Sequence, residues 1–461
     1  MTELDAAATF AGFVARTRFE DLPDNVVASV KRTVLDALGV AAAGSAGPGI
    51  REILDLCSTW GGRPESRVLI FGDRIPTVHA AFVNGAMARA LDYNETYDSG
   101  SSHPSISVIP AAAAMAGLAP NVSGKDFIAA VALGFEVQCR LADAVAHPGH
   151  WIAPQLTGYI SAAAAAGKLL GLTEAAILNA LGIAYSQCAG GRQSSTERAD
   201  TRGLQGAFSA RDGVLSALLA QCGTTGPMNC IEGEHGYFAA YYNGRYDRSA
   251  LVDQLGKEFR FPGLSYKPYP SCRHLHCHIL AALEVTTEHD IRPENIAEVK
   301  AYVGDFVMGT FRPEAIAYTP RTIVDRQFSG PYVIAAAIVN RSVSLADFLR
   351  GDAPSAKVLE LARRVTPQYD STLSPPKKME YGRVEIKMQD GQVFRSRTVE
   401  IAKGHPLNPM TEAELVAKFR DCLDHAARRV PRENVEQVID AVADLESVPQ
   451  VGALLDLLVG K

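Results

Sequence analysis

The spacing of apolar residues predicts helices over almost the whole of the first 265 positions. Val26, Val30, Val34 and Leu38 recur at every fourth position, so they fall on one face of a helix. An alanine run at residues 162–166 suits helices whose backbones approach closely. No convincing strand precedes about residue 265, so this part of the chain is predicted to be all-helical.

Side chains that cap helix starts support this prediction. Ser123 has Asp126 three residues later, which is a capping-box arrangement, and Thr173 directly precedes another apolar helical stretch. Such hydroxyls accept the backbone N–H groups that the first helical turn leaves without partners. Two helices are therefore predicted to begin at these positions.

The pattern changes after about residue 265. Residues 297–303 alternate between apolar and polar side chains, as a half-buried strand does. Further on, the stretch RVEIKMQDGQVFRSRTVEI has the pattern of two strands with Asp390 and Gly391 at the turn between them. The helical pattern returns at Thr411, so helices on both sides enclose an α+β segment.

These patterns predict a mainly α fold built from three segments. A helical domain covers residues 1–265, an α+β domain covers 266–402, and C-terminal helices cover 403–461. A length of 461 residues also favours two domains, because it exceeds what one ordinary core holds. Ligand sites commonly form at domain interfaces, so a cleft between the two domains is the expected place for a site.

Composition and charge exclude several classes of protein. The chain is 47% hydrophobic and 21% charged, which is ordinary for a globular protein, and its net charge is −6. With no basic stripe to neutralise phosphates, nucleic acid is not an expected partner. We expect no signal peptide and no membrane span, because the N-terminus is acidic and no long apolar run is present. The 8 cysteines lie mostly in apolar segments, which indicates reduced thiols and a cytoplasmic location.

The densest group of polar residues is the stretch LDYNETYDSGSSHPS, which starts at residue 91. His103 precedes Pro104, which holds it in an extended conformation. An imidazole exchanges protons near neutral pH, and Asp92 or Thr96 is placed to orient it. The alternative is a polar loop that ends at a histidine capping the next helix.

A second group lies where the helical pattern ends, in SYKPYPSCRHLHCHILAALEV. Lys267 and Arg273 provide two cations there. Metal binding has to be considered, because Cys272 and His276 are four residues apart and two further histidines follow the same spacing. No HExxH motif and no completing ligand occur, so no metal is expected.

Two further positions are candidates for chemistry. Tyr332 follows a Ser-Gly-Pro turn and begins an apolar helix, where it either donates to a substrate oxygen or buries its ring and caps a carbonyl. Arg202 precedes a helix whose small residues Ala207, Ala210 and Gly213 permit close packing. Neither a phosphate-binding GxxxxGK[ST] loop nor a GxSxG nucleophile elbow occurs.

Taken together, these stretches resemble the MmgE/PrpD family, which includes 2-methylcitrate dehydratases, cis-aconitate decarboxylases and an iminodisuccinate epimerase. The resemblance covers nearly the whole chain and includes, in order, AAFVNGAMARALDYNET, HPSISVIPAAAAMAG, SGKDFIAAVALGFEV, KPYPSCRHLH, QFSGPY and GHPLNPMTEAELVAKF. It implies a helical domain completed by the C-terminal helices, an inserted α+β lid, a homodimer, no metal and no cofactor.

The resemblance also assigns residues to a pocket. Asp92, Thr96 and His103 fall on the family's DxDDT…HPS positions, Lys267 on its K-x-[YF]-P lysine, and Tyr332 on its FS-x-x-Y tyrosine. These five are therefore the expected catalytic residues. Substrate binding is assigned to Arg202, Arg273, His274 and Gln205.

The chain departs from the family pattern at several of these positions. Asn94 and Glu95 stand where aspartates are usual, Arg202 replaces a lysine, Gln205 replaces a histidine, and Ile152 stands at another histidine position. These departures weigh against the methylcitrate and cis-aconitate activities and leave the general chemistry of the family in place.

The expected chemistry is proton transfer at a carbon α to a carboxylate of a small di- or tricarboxylic acid. His103 is the expected general acid or base, oriented by Asp92, while Lys267 and the arginines bind carboxylates. A dehydratase-like lyase is the first interpretation, with epimerisation and decarboxylation as alternatives. A catalytically inactive interaction protein is the alternative of another class.

Overall fold

The computed structural model describes residues 4–119, 121–146, 149–349, 354–375 and 379–461. The fold is mainly α with a small β insertion, which confirms the predicted fold class. The chain forms two compact units. The first unit consists of Met1–Ala90, Asn94–Leu264 and Glu412–Lys461, and the second of Leu91–Tyr93 and Ser265–Thr411.

Two short segments belong to the second unit although the predicted boundaries place them elsewhere. Residues 403–411 do so because backbone groups there bond to the second unit, with the Tyr266 N–H donating to the Gly404 carbonyl at 2.9 Å. Leu91–Tyr93 do so because the Gln327 side-chain amide donates to the Leu91 carbonyl. No pattern in the neighbouring sequence predicts either of these contacts.

Twelve α-helices of the first unit precede residue 265, among the residues described. They are α1 Ala6–Arg16, α2 Asp24–Gly44, α3 Ile50–Thr59, α4 Thr77–Arg89, α5 Ser105–Leu118, α6 Gly124–Asp143, α7 Ala153–Leu169, α8 Glu174–Gln187, α9 Gln193–Thr196, α10 Gln205–Gln221, α11 Tyr237–Tyr242 and α12 Arg248–Val252. The predicted caps are confirmed. Ser123 Oγ accepts the Asp126 N–H at 3.2 Å in a full capping box, and Thr173 Oγ1 accepts the Ala176 N–H at 3.3 Å.

Small residues bring the central helices of this unit together, as predicted. The five alanines of residues 162–166 in α7 are completely buried. At Gly213 in α10, a Cβ atom would lie 2.4 Å from the Cβ of Ala162, which is closer than any real contact. The two helix backbones therefore approach at a distance that only glycine permits at this position.

The prediction that no strand precedes residue 265 is wrong in one place. β1 (Ser66–Arg67) and β2 (Arg74–Ile75) form a short antiparallel pair. The side chain of Asn84 in α4 supports it, because its Oδ1 accepts the Leu69 N–H at 3.0 Å and its amide donates to the Arg67 carbonyl at 3.1 Å. Strands of two residues are too short to produce an alternating pattern.

In its described residues, the second unit contains seven further α-helices and one sheet. The helices are α13 His276–Glu288, α14 Asp305–Gly309, α15 Glu314–Ala317, α16 Ile323–Gln327, α17 Gly330–Asn340, α18 Ala346–Leu349 and α19 Ala356–Ala362. The strands are β3 Ile296–Val303, β4 Val365–Tyr369, β5 Arg383–Met388 and β6 Val393–Arg395. They pair in the order β4-β3-β5-β6, with β3 and β4 parallel and the other two pairs antiparallel.

The predicted strand and hairpin of this unit are both confirmed. Val299, Ala301 and Val303 of β3 point into the core and are completely buried. The hairpin joins β5 to β6, and Gly391 at its turn has φ of +89°, in the left-handed region that glycine adopts without strain.

The C-terminal helices α20 Glu412–Asp424, α21 Arg432–Ala443 and α22 Val451–Asp456 return to the first unit. Lys418 in α20 forms a buried ion pair with Asp36 in α2, at 2.6 Å. The Gly124 N–H donates to the Val448 carbonyl at 2.8 Å and links α6 to the same C-terminal segment. Within the described ranges, no helix combines the length and the apolar character needed to cross a membrane.

Replacing Arg140 with alanine is expected to lower the free energy of unfolding by about 3–5 kcal/mol. Arg140 and Glu136 are both completely buried and pair at 2.6 Å, and the guanidinium also donates to backbone carbonyls of residues 250–258. Without Arg140, the Glu136 carboxylate loses its cation inside the protein. Urea denaturation followed by circular dichroism measures the change.

The matched control is Arg16→Ala, which removes an ion pair with Glu174 at 3.0 Å. Both side chains of that pair are largely exposed, so little stability is expected to be lost. Equal losses in the two variants would contradict the argument that burial decides the size of the effect.

Candidate active site

The first group of candidate residues lies in the loop that leads into α5. The loop closes on itself through two backbone hydrogen bonds between Tyr97 and Ser102, at 2.8 and 3.1 Å. His103 follows directly, half-buried, and Pro104 and Ser105 begin the helix. The loop therefore holds His103 at a fixed place before a helix start.

A backbone carbonyl determines which nitrogen of His103 carries the proton. His103 Nδ1 lies 2.7 Å from the carbonyl oxygen of Glu95. Because a carbonyl can only accept, Nδ1 must be the donor, and the neutral ring then has its lone pair on Nε2. Nε2 is the nitrogen that can take a proton from a substrate.

Asn94 supports the same carbonyl. Its side-chain amide donates to the Glu95 carbonyl at 2.9 Å, and its Oδ1 accepts from Arg89 at 3.1 Å. The amide nitrogen also lies 3.2 Å from His103 Nδ1. Asn94, which departs from the family pattern, is thus part of the environment of the histidine.

The Glu95 side chain bonds to the start of α5. Its Oε1 accepts the Ser105 N–H at 2.7 Å, and its Oε2 accepts the Ser105 hydroxyl. Glu95 is completely buried. Burial raises the pKa of its carboxyl, while the two bonds from Ser105 oppose that rise.

Thr96 is the next residue, and its side chain is 2% exposed. Within the described ranges, its hydroxyl has no hydrogen-bond partner. A buried hydroxyl without a partner costs free energy, so its presence favours a role that a bound molecule completes.

The second group of candidate residues lies in the second unit, where Asp92 pairs with Lys267. The Lys267 ammonium lies 3.2 Å from Asp92 Oδ2 and donates to the Asp92 carbonyl at 2.7 Å. The two side chains are 1% and 7% exposed. The structure thus pairs Asp92 with Lys267, and the orienting role of Asp92 at His103 stays a prediction.

The backbone of Asp92 is in the left-handed region, with φ of +47°. That conformation is uncommon for residues other than glycine and persists only where surrounding contacts impose it. Here the Gln327 side chain holds the carbonyl of Leu91 and Lys267 holds the carbonyl of Asp92. The Tyr93 hydroxyl adds a bond to the Pro268 carbonyl at 3.2 Å.

Arg273 follows Lys267 closely in the sequence and is buried. Its guanidinium contacts His276 and the Lys403 carbonyl. One nitrogen donates to the Lys403 carbonyl at 3.2 Å and lies 3.5 Å from Nδ1 of His276. His276 Nε2 donates to the Ser271 carbonyl at 3.3 Å, which leaves Nδ1 as the acceptor. Burial and the neighbouring Arg273 and Lys267 hold the pKa of His276 well below its usual range, so it stays neutral.

His274 stacks on Phe306, with ring centroids 3.9 Å apart and planes 20° from parallel. Phe306 lies at the start of α14, where the buried carboxylate of Glu380 accepts its N–H at 2.6 Å and that of Val307 at 2.8 Å. Glu380 therefore holds the backbone of Phe306, whose ring stacks on His274.

Tyr332 lies in the core of the second unit. It is 1% exposed, and its hydroxyl donates to the carbonyl of Asp347 at 2.7 Å. Burial raises the pKa of the phenol to about 12. This placement fits the second of the two interpretations of Tyr332, a buried ring that caps a carbonyl, and a role at the substrate stays a prediction.

Arg202 and Gln205 lie at the start of α10. Arg202 is half-buried in a 3-10 turn, Asp200–Leu204, and Gln205 is buried as the first residue of the helix. The Gln205 carbonyl accepts the hydroxyl of Ser209 at 2.9 Å. Their roles in substrate binding stay predictions, as does the gathering of all the candidate residues in one cleft.

The side chains of the histidines and cysteines after Lys267 lie in different surroundings. His276 bonds to Ser271, whereas His278 Nε2 donates to the Tyr302 carbonyl at 2.8 Å, and burial lowers the pKa of His278 to about 4. Cys272 and Cys277 lie in the apolar core. Over the described part of the chain, no three His, Cys, Asp or Glu side chains come together as metal ligands would.

Sequence reasoning missed Glu95, Asn94, Gln327 and His276 as parts of these arrangements. Glu95 and Asn94 had a signal, since both lie in the polar loop and depart from the family pattern. Gln327 and His276 had none, because each acts through a backbone carbonyl or a neighbouring side chain.

Comparison with known proteins shows to which family the chain belongs. Residues 8–249 match the MmgE/PrpD N-terminal domain, and residues 269–445 match the MmgE/PrpD C-terminal domain. The chain is 27% identical to a cis-aconitate decarboxylase of Mus musculus, over 98% of this chain and 93% of that protein. It is 27% identical to a cis-aconitate decarboxylase of Aspergillus terreus, over 95% and 93%. It is 25% identical to a 2-methylcitrate dehydratase of Salmonella typhimurium, over 92% of each. The chain therefore belongs to the MmgE/PrpD family.

Proposed function

We propose that this chain is a lyase that moves a proton at the carbon α to a carboxylate of a small di- or tricarboxylic acid. The observation that carries the proposal is His103, whose Nδ1–H is bound to the Glu95 carbonyl so that Nε2 is the basic nitrogen. Relatives named as decarboxylases and as dehydratases, both of which are lyases, support the class. A homodimer and a cytoplasmic location stay predictions.

Positive charge is the second requirement of such a reaction. A carbon α to a carboxylate is a very weak acid, so the negative charge that develops must meet cations placed in advance. Lys267 and Arg273 are buried and held by defined partners, so neither needs to reorganise during the reaction. We assign them, with Arg202, to the substrate carboxylates, where a guanidinium can make two parallel bonds.

The proposed steps need no metal ion. In decarboxylation, the C–C bond to one carboxylate breaks and carbon dioxide leaves. The electron pair is then protonated at a carbon α to a remaining carboxylate by the imidazolium form of His103, whose Nε2 carries a proton taken from solvent beforehand. In dehydration, His103 Nε2 takes the α proton and the β hydroxyl leaves as water after receiving a proton. The same imidazole serves both reactions, as donor in one and as acceptor in the other.

The relatives favour decarboxylation as the first reaction to test. The mouse cis-aconitate decarboxylase matches over 98% of this chain, whereas the Salmonella typhimurium dehydratase matches over 92% at slightly lower identity. Dehydration is the second candidate. For the proton on the opposite face of the substrate we favour Thr96 over Tyr332, because the Tyr332 hydroxyl is already bonded to Asp347.

The test is incubation with cis-aconitate and, separately, 2-methylcitrate in deuterated water, followed by proton NMR. Decarboxylation is expected to place one solvent deuterium at a carbon α to a remaining carboxylate, whereas dehydration gives a new unsaturated product. Absence of turnover with every small di- and tricarboxylate tried would contradict the proposal.

Thermal stability separates an enzyme from an inactive interaction protein. A ligand at 100 times its dissociation constant stabilises the folded state by about 2.7 kcal/mol, so a true substrate or product is expected to raise the melting temperature. A monocarboxylate such as acetate is the control and is expected to have no effect. Equal melting temperatures with and without polycarboxylates would favour the interaction protein.

A further inference from the structure

All three oxygen atoms of Glu95 are used within its own loop. The carbonyl oxygen accepts from His103 Nδ1 at 2.7 Å and from the Asn94 amide at 2.9 Å. The carboxylate accepts the N–H of Ser105 at 2.7 Å through one oxygen and the Ser105 hydroxyl through the other. One residue thus bonds to the histidine and to the start of the helix that follows it.

These contacts form a closed path of hydrogen bonds and backbone bonds that includes His103. The path runs from the Glu95 carbonyl through its hydrogen bond to His103 and then along the backbone through Pro104 to Ser105. It returns to Glu95 through the hydrogen bond from Ser105 to the carboxylate. Glu95 and Ser105 are both completely buried, so water cannot replace the hydrogen bonds between them. Loss of the carboxylate would leave the N–H and hydroxyl of Ser105 without these acceptors and free the Glu95 peptide to rotate.

We infer that Glu95 is a positioning residue whose side chain fixes the carbonyl that receives the His103 Nδ1–H, and thereby sets Nε2 as the basic nitrogen. A histidine in the opposite tautomer has its proton on Nε2 and cannot act as a base there. The carboxylate of Glu95 acts only through the backbone of its own residue and touches no reacting atom. The kinetic part of this inference rests on the proposed function, whereas the tautomer does not.

The carboxylate also lies at the start of α5, a helix of 14 residues that runs from Ser105 to Leu118. The first N–H groups of a helix point toward its N-terminus and favour an acceptor there. Residue 104 is proline, and no side-chain cap forms from that position, so Glu95 serves the Ser105 N–H from a distance of ten positions in the chain. The helix start and the histidine are therefore held by the same residue.

The test compares Glu95→Ala with Glu95→Gln in protein labelled with ¹⁵N at histidine. Long-range ¹H–¹⁵N NMR reports the tautomer of each ring, and His103→Gln assigns the signals. Wild type is expected to show His103 with the proton on Nδ1. Glu95→Ala is expected to show a mixture of tautomers, part of it with the proton on Nε2. It is also expected to lose about 10–100-fold in kcat on a confirmed substrate, a smaller loss than the roughly 10²–10⁴-fold that a whole acid–base group contributes.

Glu95→Gln is expected to restore most of the wild-type tautomer. The glutamine carbonyl accepts the Ser105 N–H as the carboxylate does, and its amide donates to the Ser105 hydroxyl oxygen. Ser107→Ala is the matched control, since Ser107 is a buried serine of the same helix whose hydroxyl bonds to Ser209 at 2.8 Å. It is expected to leave both the tautomer and kcat unchanged.

Two results would overturn the inference. One is Glu95→Ala with His103 still fully protonated on Nδ1, and the other is Glu95→Gln with the same mixture of tautomers as the alanine variant. If Glu95→Ala does not fold, Ser105→Ala takes its place, because it removes one of the two bonds and is expected to yield a smaller share of the Nε2–H form. A wild-type protein that shows the Nδ1–H tautomer and turns over no polycarboxylate would count against the proposed function alone.

Discussion

Replacing His103 with alanine is expected to reduce kcat by about 10²–10⁴-fold, the usual share of one general acid–base group, while the fold stays intact. His103 is half-buried at the end of a closed loop, and the Glu95 carbonyl at 2.7 Å is its fixed partner. Removing the imidazole leaves in place Lys267 and Arg273, the cations proposed to bind the carboxylates. The loss is therefore expected in kcat and much less in KM.

His425→Ala is the matched control for this prediction. His425 is also half-buried, and its Nδ1 also bonds to a backbone carbonyl, that of Asp421, at 2.8 Å. It lies at the end of α20 and has no proposed role in the reaction. Steady-state kinetics on the substrate identified by NMR compares the kcat values of the two variants. Circular dichroism checks that both are folded. Near-full turnover by His103→Ala would show that another group transfers the proton.

The fold was predictable wherever the structure depends on local contacts. The capping box at Ser123 and Asp126 involves residues three apart, and the turn at Gly391 needs the positive φ that glycine supplies. Neither depends on the rest of the molecule, so the sequence pattern was sufficient. The pair β1–β2 was not predictable, because its two-residue strands depend on the side chain of Asn84 in another element.

For the candidate site, the sequence was sufficient to propose residue types but not to predict their contacts. The histidine and the lysine were identified from their chemistry and from stiff prolines beside them. Their partners were not, since His103 bonds to a backbone carbonyl, which every residue possesses. Asp92 pairs with a lysine that is 175 positions away in the sequence, and nothing near Asp92 indicates that contact.

Replacing Lys267 is expected to affect both stability and activity, and the two effects can be separated. Lys267→Met leaves the carboxylate of Asp92, which is 7% exposed, without its ammonium partner. Removing one member of a buried ion pair costs about 3–5 kcal/mol in the free energy of unfolding, because the remaining charge stays desolvated. The single variant is therefore expected to be both unstable and inactive.

The double variant Asp92→Asn with Lys267→Met removes both charges and so removes that penalty. Asparagine also tolerates the left-handed backbone conformation at this position, where φ is +47°. Most of the stability lost by Lys267→Met is expected to return in the double variant, and the double-mutant cycle gives the coupling energy of the pair. Activity is expected to stay low, because a neutral pair cannot meet the carboxylates of the substrate.

The matched control is the buried pair of Glu136 and Arg140, which are 2.6 Å apart and have no proposed role in the reaction. Glu136→Gln with Arg140→Met is expected to show a similar stability cycle with kcat unchanged at temperatures where the protein is folded. Urea denaturation measures stability, and kcat/KM measures transition-state stabilisation. If Asp92→Asn with Lys267→Met regained both stability and turnover, the pair would have only a structural role. The arginines alone would then bind the substrate carboxylates.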